Sequence, residues 1–265
     1  MRPGEPEMLA QRATATALPR SAQVLLWLAL LLLTACASTQ VRTAVDPHGK
    51  PLRLSGSVVM IRPDIELSEI TAGGVPEPRK AWTENARRVY PEAARRMLAR
   101  QGVQLRPDFA IPPDAGPEQR LRQLELLNQA VSISILQYGG RGDRLRNKQG
   151  RFDWSLGPGV AELRQATGAD YALFTYLRDS YSSGGRVAMR LIGLVLLGGD
   201  IGGGMQVGVA SLVDLRTGQV VWHNLLVDQT GDLRNLAGAR ETADDILKGI
   251  RGTAPSATTP PQEPK

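Results

Sequence analysis

An unbroken apolar run near the start constrains this chain more than any other feature. The run covers residues 24–33, follows a segment that carries arginines, and is followed by the small residues Thr34 and Ala35. A basic segment, an apolar core of about 7–15 residues and a small-residue cleavage site are typical of a secretory signal peptide. A membrane-spanning helix needs about 20 apolar residues, so this run is too short to be one. We therefore predict that residues 1–35 form a signal peptide for export.

The only cysteine of the chain, Cys36, directly follows the predicted cleavage site. This pattern is typical of bacterial lipoproteins, in which the cysteine thiol takes a diacylglyceryl group and the new amino terminus is usually acylated as well. We predict that Cys36 is lipidated and that the membrane is a partner through its acyl chains, because several chains give stable anchoring. An ordinary signal peptide with a chance cysteine is the alternative. Ala37 and Ser38 follow without an aspartate, and similarity to lipoproteins of enteric-type bacteria then favours the outer membrane, on its periplasmic face.

Export and the presence of a single cysteine limit how the domain can be stabilised and which partners the protein can meet. With no second cysteine there is no internal disulfide, so the domain must be stabilised by an apolar core. The formal net charge is +6, and aromatic residues make up 5% of the chain. The small number of aromatic residues argues against a surface on which nucleic-acid bases could stack. Export also separates the protein from the nucleic acid of the cytoplasm. We predict no nucleic-acid partner; the anions available in the periplasm are lipid head groups, lipopolysaccharide phosphates and peptidoglycan carboxylates.

Composition divides the exported chain into three parts. Residues 36–51 are polar and turn-rich, and we predict a flexible tether with a reach of about 20–25 Å. Residues 52–250 contain all the buried-strand and helix patterns, which predicts a single domain. Residues 251–265 are rich in proline and threonine, which predicts a disordered tail.

Apolar patterns within residues 52–250 predict strands and helices that alternate irregularly. Helices are predicted over 79–100, from Pro117 to near Tyr138, over 159–167 and over 239–250. The core stripe of the second helix is predicted to be Leu121, Leu124, Leu127 and Val131. Pro91 should kink the first helix or start a second one. Strands are predicted at 52–61, 65–70, 171–177 and 205–213, and the turn Asp214–Gly218 should join the last strand to an antiparallel return over 219–223. These elements predict an α/β fold of the mixed, α+β-like kind: one sheet with helices packed on it and a central antiparallel hairpin.

A glycine-flanked apolar insertion at residues 184–204 interrupts the sheet pattern. Three interpretations remain open: a connector buried on the sheet, a subunit interface in a homo-oligomer, or a segment that lies on or enters the membrane. In the latter two the candidate membrane or oligomer contacts are Val187, Leu191, Leu194 and Val195. The glycines do not fit the spacing of a dinucleotide-binding loop, and no P-loop lysine follows them.

The densest basic stretch lies between residues 141 and 151 and carries Arg141, Arg144 and Arg146. These arginines are candidate contacts for an anionic surface, and a solvated loop is the alternative.

No pattern of catalytic residues is present. The sequence has no H-E-x-x-H or G-x-S-x-G motif, and lipidation would leave no free cysteine. Of the two histidines, His48 lies in a predicted loop between Pro47 and Gly49, and His223 is predicted to lie on a sheet face rather than to act as a base. We predict that the protein is not an enzyme and uses no cofactor or metal.

Two short motifs resemble a known family. The sequence GADYAL at 168–173 follows a helix, and SLVDLRTGQVVW at 211–222 contains the hairpin turn. Their order and the elements around them resemble the α/β domain of envelope lipoproteins related to the curli-export channel and the penicillin-binding-protein activators. The resemblance covers about residues 52–250 and implies action by assembly and contact, with no catalytic residues to carry over. We therefore predict a lipoprotein that acts by binding an envelope protein partner, as an accessory to envelope assembly or transport and with self-association as one route; a regulator of a periplasmic peptidoglycan-synthesising enzyme is the alternative.

Overall fold

The computed structural model describes residues 38–43, 53–112, 119–139, 145–148, 151–188 and 204–253. The chain divides into two units, Met1–Ala35 and Cys36–Lys265, and all described residues belong to the second. The predicted signal peptide, Cys36, His48 and residues 254–265 lie outside the described residues. Within them, no helix is long and apolar enough to cross a membrane.

The described residues contain eight strands and four α-helices that lie wholly within them. The strands are β1 (Ser38–Thr43), β2 (Ser57–Met60), β3 (Asp64–Ile70), β4 (Pro76–Pro78), β5 (Gln104–Leu105), β6 (Tyr171–Ser182), β7 (Gln206–Asp214) and β8 (Val220–Asp228). The helices are α1 (Lys80–Arg100), α2 (Arg120–Tyr138), α3 (Ala161–Thr167) and α4 (Leu236–Ile246).

All eight strands form one mixed sheet. Six of them follow the order β1-β8-β7-β6-β2-β5, and the other two lie off this path, with β3 paired to β6 and β4 paired to β3. Strands β6, β7, β8 and β1 pair antiparallel, whereas β2 and β3 both run parallel to β6. β2 pairs with the first part of β6 and β3 with the second, and Pro63 lies between them. Proline has no N–H to donate to a sheet ladder, which explains the break. The predicted α/β fold with a mixed sheet and a central antiparallel hairpin is confirmed.

Helices cover both faces of the sheet and divide the core in two. On one face α1 and α4 pack over side chains such as Leu173, Leu177 and Leu212. On the other face α2 and α3 pack over residues that include Phe174 and Val213. Alternate residues of β6 thus enter different cores, which explains why its sequence is apolar without alternation.

The hairpin turn has the predicted chemistry. Asp214 Oδ1 accepts a hydrogen bond from the Arg216 backbone N–H at 2.8 Å, and Gly218 has a φ of 76°. An added Cβ on Gly218 would lie 2.3 Å from the carbonyl oxygen of Gly157, so the turn also needs glycine for space.

Helix α1 is a single helix that contains Pro91 in its interior. It does not divide into two helices at that residue. Tyr90 and Ala94, on either side of the proline, are fully buried, so packing against the sheet holds this part of the helix in place.

Residues 38–43 form a strand rather than part of a flexible tether, which corrects the predicted range 36–51. β1 pairs with β8 over all six residues, from Ser38 opposite Val227 to Thr43 opposite Trp222. The segment is mostly polar, yet β-branched Thr39, Val41 and Thr43 alternate along it, a pattern that suits an edge strand. Thr253, within the predicted tail, is paired with the domain, because its backbone N–H donates a hydrogen bond to the Leu54 carbonyl at 3.1 Å.

Helix α2 packs on the sheet with a face that is shifted from the predicted one but overlaps it, because Leu124 is buried and Leu121 and Val131 are partly buried against the core. Its buried residues are Leu124, Asn128, Ser132 and Ile135, whereas Leu127 is 41% exposed. The reason is a hydrogen bond between buried side chains, in which Ser211 Oγ of β7 donates to Asn128 Oδ1 at 2.7 Å. This polar contact turns two polar residues toward the sheet and several apolar ones away from it.

Candidate functional site

A groove between α2 and the sheet encloses a cavity of about 270 Å³. Helix α2 forms one wall, and β6 and β7 form the floor. We call this the α2 groove; its main lining residues are Asn128, Ser132, Ile133, Leu136, Phe174, Tyr176, Val209 and Ser211. Most of this lining is apolar, as in sites that bind small molecules or the side chains of a partner.

The deep part of the α2 groove is polar. Asn128 and Ser132 are 7% and 6% exposed and both line the cavity. The carbonyl oxygen of Asn128 is engaged by Ser211, so these residues offer an amide and a hydroxyl group within apolar walls. Such a surface suits an uncharged or amphipathic group, because apolar contacts give affinity and the few polar groups fix orientation.

The two carboxylates that line the groove, Asp64 and Glu125, are paired with arginines, and Arg62 also lines it. Arg178 forms an ion pair with Asp64, with 3.1 Å between Nη2 and Oδ2, and its guanidinium lies 3.9 Å from the centre of the Tyr176 ring. Glu125 is paired with Arg122. The mouth is therefore polar but has no strong excess of either charge.

The outer face of α2 is apolar as well. Leu126, Leu127, Ile133 and Leu136 are 42%, 41%, 63% and 38% exposed. Large apolar side chains exposed together on one helix are unusual unless they contact another molecule, so this face is suited to such a contact. Sequence reasoning missed this face; the signal was that residues 120–138 contain more large apolar residues than one buried stripe can accommodate.

The apolar insertion is only partly described. Residues 184–188 are helical, and the Val187 side chain is 46% exposed. Leu191, Leu194 and Val195 lie outside the described residues. The three interpretations of the insertion therefore stay predictions.

The basic stretch is also partly described. Arg146 is exposed on a short 3₁₀ turn, while Arg141 and Arg144 lie outside the described residues. Lys148 bonds to Asp153 at 2.8 Å, and this hydrogen bond holds the pKa of Asp153 below its usual value. Lys148 also lies 4.4 Å from the centre of the Trp154 ring. Part of the basic stretch is thus used within the fold, and anion binding by its arginines stays a prediction.

A buried carboxylate, Asp179, joins three elements near the end of β6. It accepts hydrogen bonds from Tyr181 Oη, from Gln206 Nε2 at 2.9 Å and from the Leu233 backbone N–H at 3.2 Å. Burial raises the pKa of Asp179, although its three donors act in the opposite direction. Because a single carboxylate oxygen receives all three donors, we interpret Asp179 as a structural link between β6, β7 and the segment before α4. No sequence pattern pointed to it.

His223 lies on the sheet face, as its alternation along the strand predicts. It is 1% exposed, and burial followed by the nearby Arg42 charge lowers its pKa to about 4. Neither ring nitrogen has a hydrogen-bond partner within the described part of the chain. Over the same part, no cluster of three or more histidine, cysteine, aspartate or glutamate side chains could hold a metal ion.

Comparisons with known proteins give little that bears on identity. No protein-family model matches the chain, and no curated protein does either. Among solved structures, the PelC dodecamer from Paraburkholderia phytofirmans aligns with 81% of this chain and 99% of its own, at 11% identity and a TM-score of 0.37. A variant PelC dodecamer from the same organism gives 82% coverage with the same identity and TM-score. A TM-score this low does not establish a common fold, so the similarity assigns no function to the chain.

Proposed function

We propose that this protein is an outer-membrane lipoprotein, anchored through Cys36 on the periplasmic face, that acts by binding and not by catalysis. Its role is that of an accessory to cell-envelope assembly or transport, and it acts through self-association. The signal sequence supports the anchor and the compartment. The exposed apolar face of α2 supports the binding role.

The outer face of α2 is the observation that carries this proposal. Leu126, Ala130 and Ile133 lie opposite the buried residues of the helix, and exposed Leu127 lies at the side of the same stripe. Few charged residues break this stripe, so it can pack against a second apolar helix. The same stripe on a second copy is self-complementary, which is the condition for a two-fold contact.

The groove extends the same surface. Ile133 and Leu136 are exposed and also line the α2 groove, so the outer face and the cavity are continuous. A partner side chain that enters the groove would bury apolar area and meet Asn128 and Ser132. A central pocket filled by an apolar side chain is the usual source of affinity at protein interfaces.

The experiment is crosslinking in intact envelopes with the full chain and its Ile133→Glu variant. We expect the parent to give crosslinked homo-oligomers and Ile133→Glu to lose most of them, because a charge at the centre of an apolar interface would be desolvated. The variant should still fold, since residue 133 is 63% exposed in the single chain. Thr217→Glu, at an exposed hairpin turn that is not part of the outer face of α2, is the matched control and should crosslink like the parent.

Crosslinks that persist in Ile133→Glu would contradict the α2 interface. A parent that gives no homo-oligomer but crosslinks to a peptidoglycan-synthesising enzyme would refute self-association and support the role of an enzyme regulator.

A further inference from the structure

The position of β1 limits where the protein can meet the membrane. Cys36 precedes Ser38 by two residues, and Ser38 is the first residue of β1. Two residues span at most about 7 Å, whatever path they take. The end of the sheet that carries Ser38 must therefore lie close to the lipid attached to Cys36, and a tether long enough to hold the domain away is not present.

Strand pairing shows which other residues share this end. Ser38 lies opposite Val227 of β8, and Val227 lies opposite Val207 of β7. Met205 lies just before β7, and its carbonyl oxygen accepts a hydrogen bond from the Ser180 backbone N–H at 3.1 Å. The last residue of β6, Ser182, lies opposite Ile70, where β3 ends. The ends of β3, β6, β7 and β8 thus form one edge with the start of β1, about 19 Å wide at the usual strand spacing.

Exposed apolar side chains gather at this end. Among the described residues, eight large apolar side chains are exposed; four of them belong to α2, and one is Val41 of β1. The remaining three are Val75, which follows β3, Val187, which follows β6, and Met205, which precedes β7; they are 61%, 46% and 44% exposed. The turn that precedes Val75 contacts the start of the helical residues 184–188, because an added Cβ on Gly185 would lie 3.1 Å from Ala72 Cβ.

We propose that Val75, Val187 and Met205 form a membrane-contact surface that touches the phospholipid bilayer beside the anchor. This proposal rests on the lipidation of Cys36 proposed above. The bilayer is the occupant because the anchor is two residues from the same end of the sheet. The three side chains are too few to bind a membrane alone, but the attached lipid holds them at its surface, where they enter the boundary between head groups and acyl chains.

Two arginines near this surface are held in ion pairs, which makes them less available to anionic head groups. Arg234 bonds to Asp232 at 2.9 Å, and Arg79 bonds to Glu69 at 2.8 Å. An apolar contact should be insensitive to salt, in contrast to binding through unpaired arginines.

The test places an environment-sensitive fluorophore on single cysteines in the acylated full chain, in vesicles of bacterial phospholipid. Cys36 is the only natural cysteine and its thiol is consumed by lipidation, so Val75→Cys, Val187→Cys and Met205→Cys can each be labelled alone. Thr217→Cys is the matched control; it is exposed and lies beyond the far end of β7, about 30 Å away. We expect blue-shifted emission at the three sites and quenching by lipids with a quencher near the head group, unchanged in high salt. Thr217→Cys should report water.

The outcomes separate this proposal from the one it rests on. If the protein floats with the vesicles while all four labels report water, the membrane-contact surface is overturned and the anchor is left intact. Labels that are shielded but not quenched from the lipid would also overturn it, because a protein then covers the surface. A chain that incorporates no labelled palmitate would refute the anchor, and the contact surface would fall with it.

Discussion

A single histidine should make the stability of this fold depend on pH. His223 lies opposite Arg42 of β1, and its pKa of about 4 in the folded chain is below the ordinary value of about 6.5. The unfolded chain therefore binds a proton between these values that the folded chain does not bind. Stability from this group is complete above about pH 6.5 and is lost as the pH falls toward 4, by about 3 kcal/mol in total.

The measurement is urea unfolding of the parent and of His223→Leu over about pH 4 to 7, where the histidine titrates. Leucine places an apolar side chain at this buried position and removes the titration. We expect the difference in unfolding free energy between the two proteins to change with pH by the equivalent of one proton. A difference that stays constant over this range would contradict the buried, neutral state of His223, whereas titrating carboxylates common to both proteins cancel.

At the scale of single elements, β1 provides a test by amide hydrogen exchange. An edge strand with one neighbour should exchange more slowly than an unstructured peptide and faster than β7, which has neighbours on both sides. The expected order of protection is therefore β7 above β1, and β1 above the intrinsic rate. Exchange of residues 38–43 at the intrinsic rate would support the flexible tether that the sequence predicts and would exclude the paired strand.

The elements also show what the sequence could predict. Buried runs such as Tyr171 to Leu177 and the Asp214–Gly218 turn carry their signal locally, in apolar residues or in turn chemistry. The face of α2 is set by the Asn128–Ser211 hydrogen bond, between residues 83 apart in the chain. β1 is fixed by pairing that joins Ser38 to a residue 189 positions later. Polar segments positioned by such distant partners have no local signal, and the α2 groove depends on one of them.

At the scale of the whole molecule, the anchor and the α2 interface should act together. Confinement to a membrane raises the effective concentration of the protein, so weak self-association becomes measurable there. We expect Cys36→Ser to lose palmitate labelling and to reduce homo-oligomer crosslinks in the envelope, although α2 is unchanged. Adding purified Cys36→Ser protein at increasing concentration should restore the crosslinks. Labelling that persists in Cys36→Ser would contradict the anchor, and crosslinks that are unaffected by its loss would show that association does not need the membrane.

The attachment of β1 has a mechanical consequence. If the acyl chains on Cys36 are pulled, the force enters the fold at Ser38 and acts on the ladder between β1 and β8. Antiparallel hydrogen bonds lie perpendicular to the strands, so a pull along β1 stretches all of them together, whereas a sideways pull breaks them one after another. β8 is also paired with β7, so a load along the strand passes directly into the middle of the sheet. Tension between the membrane and a bound partner would therefore be carried by the β7–β8 hairpin.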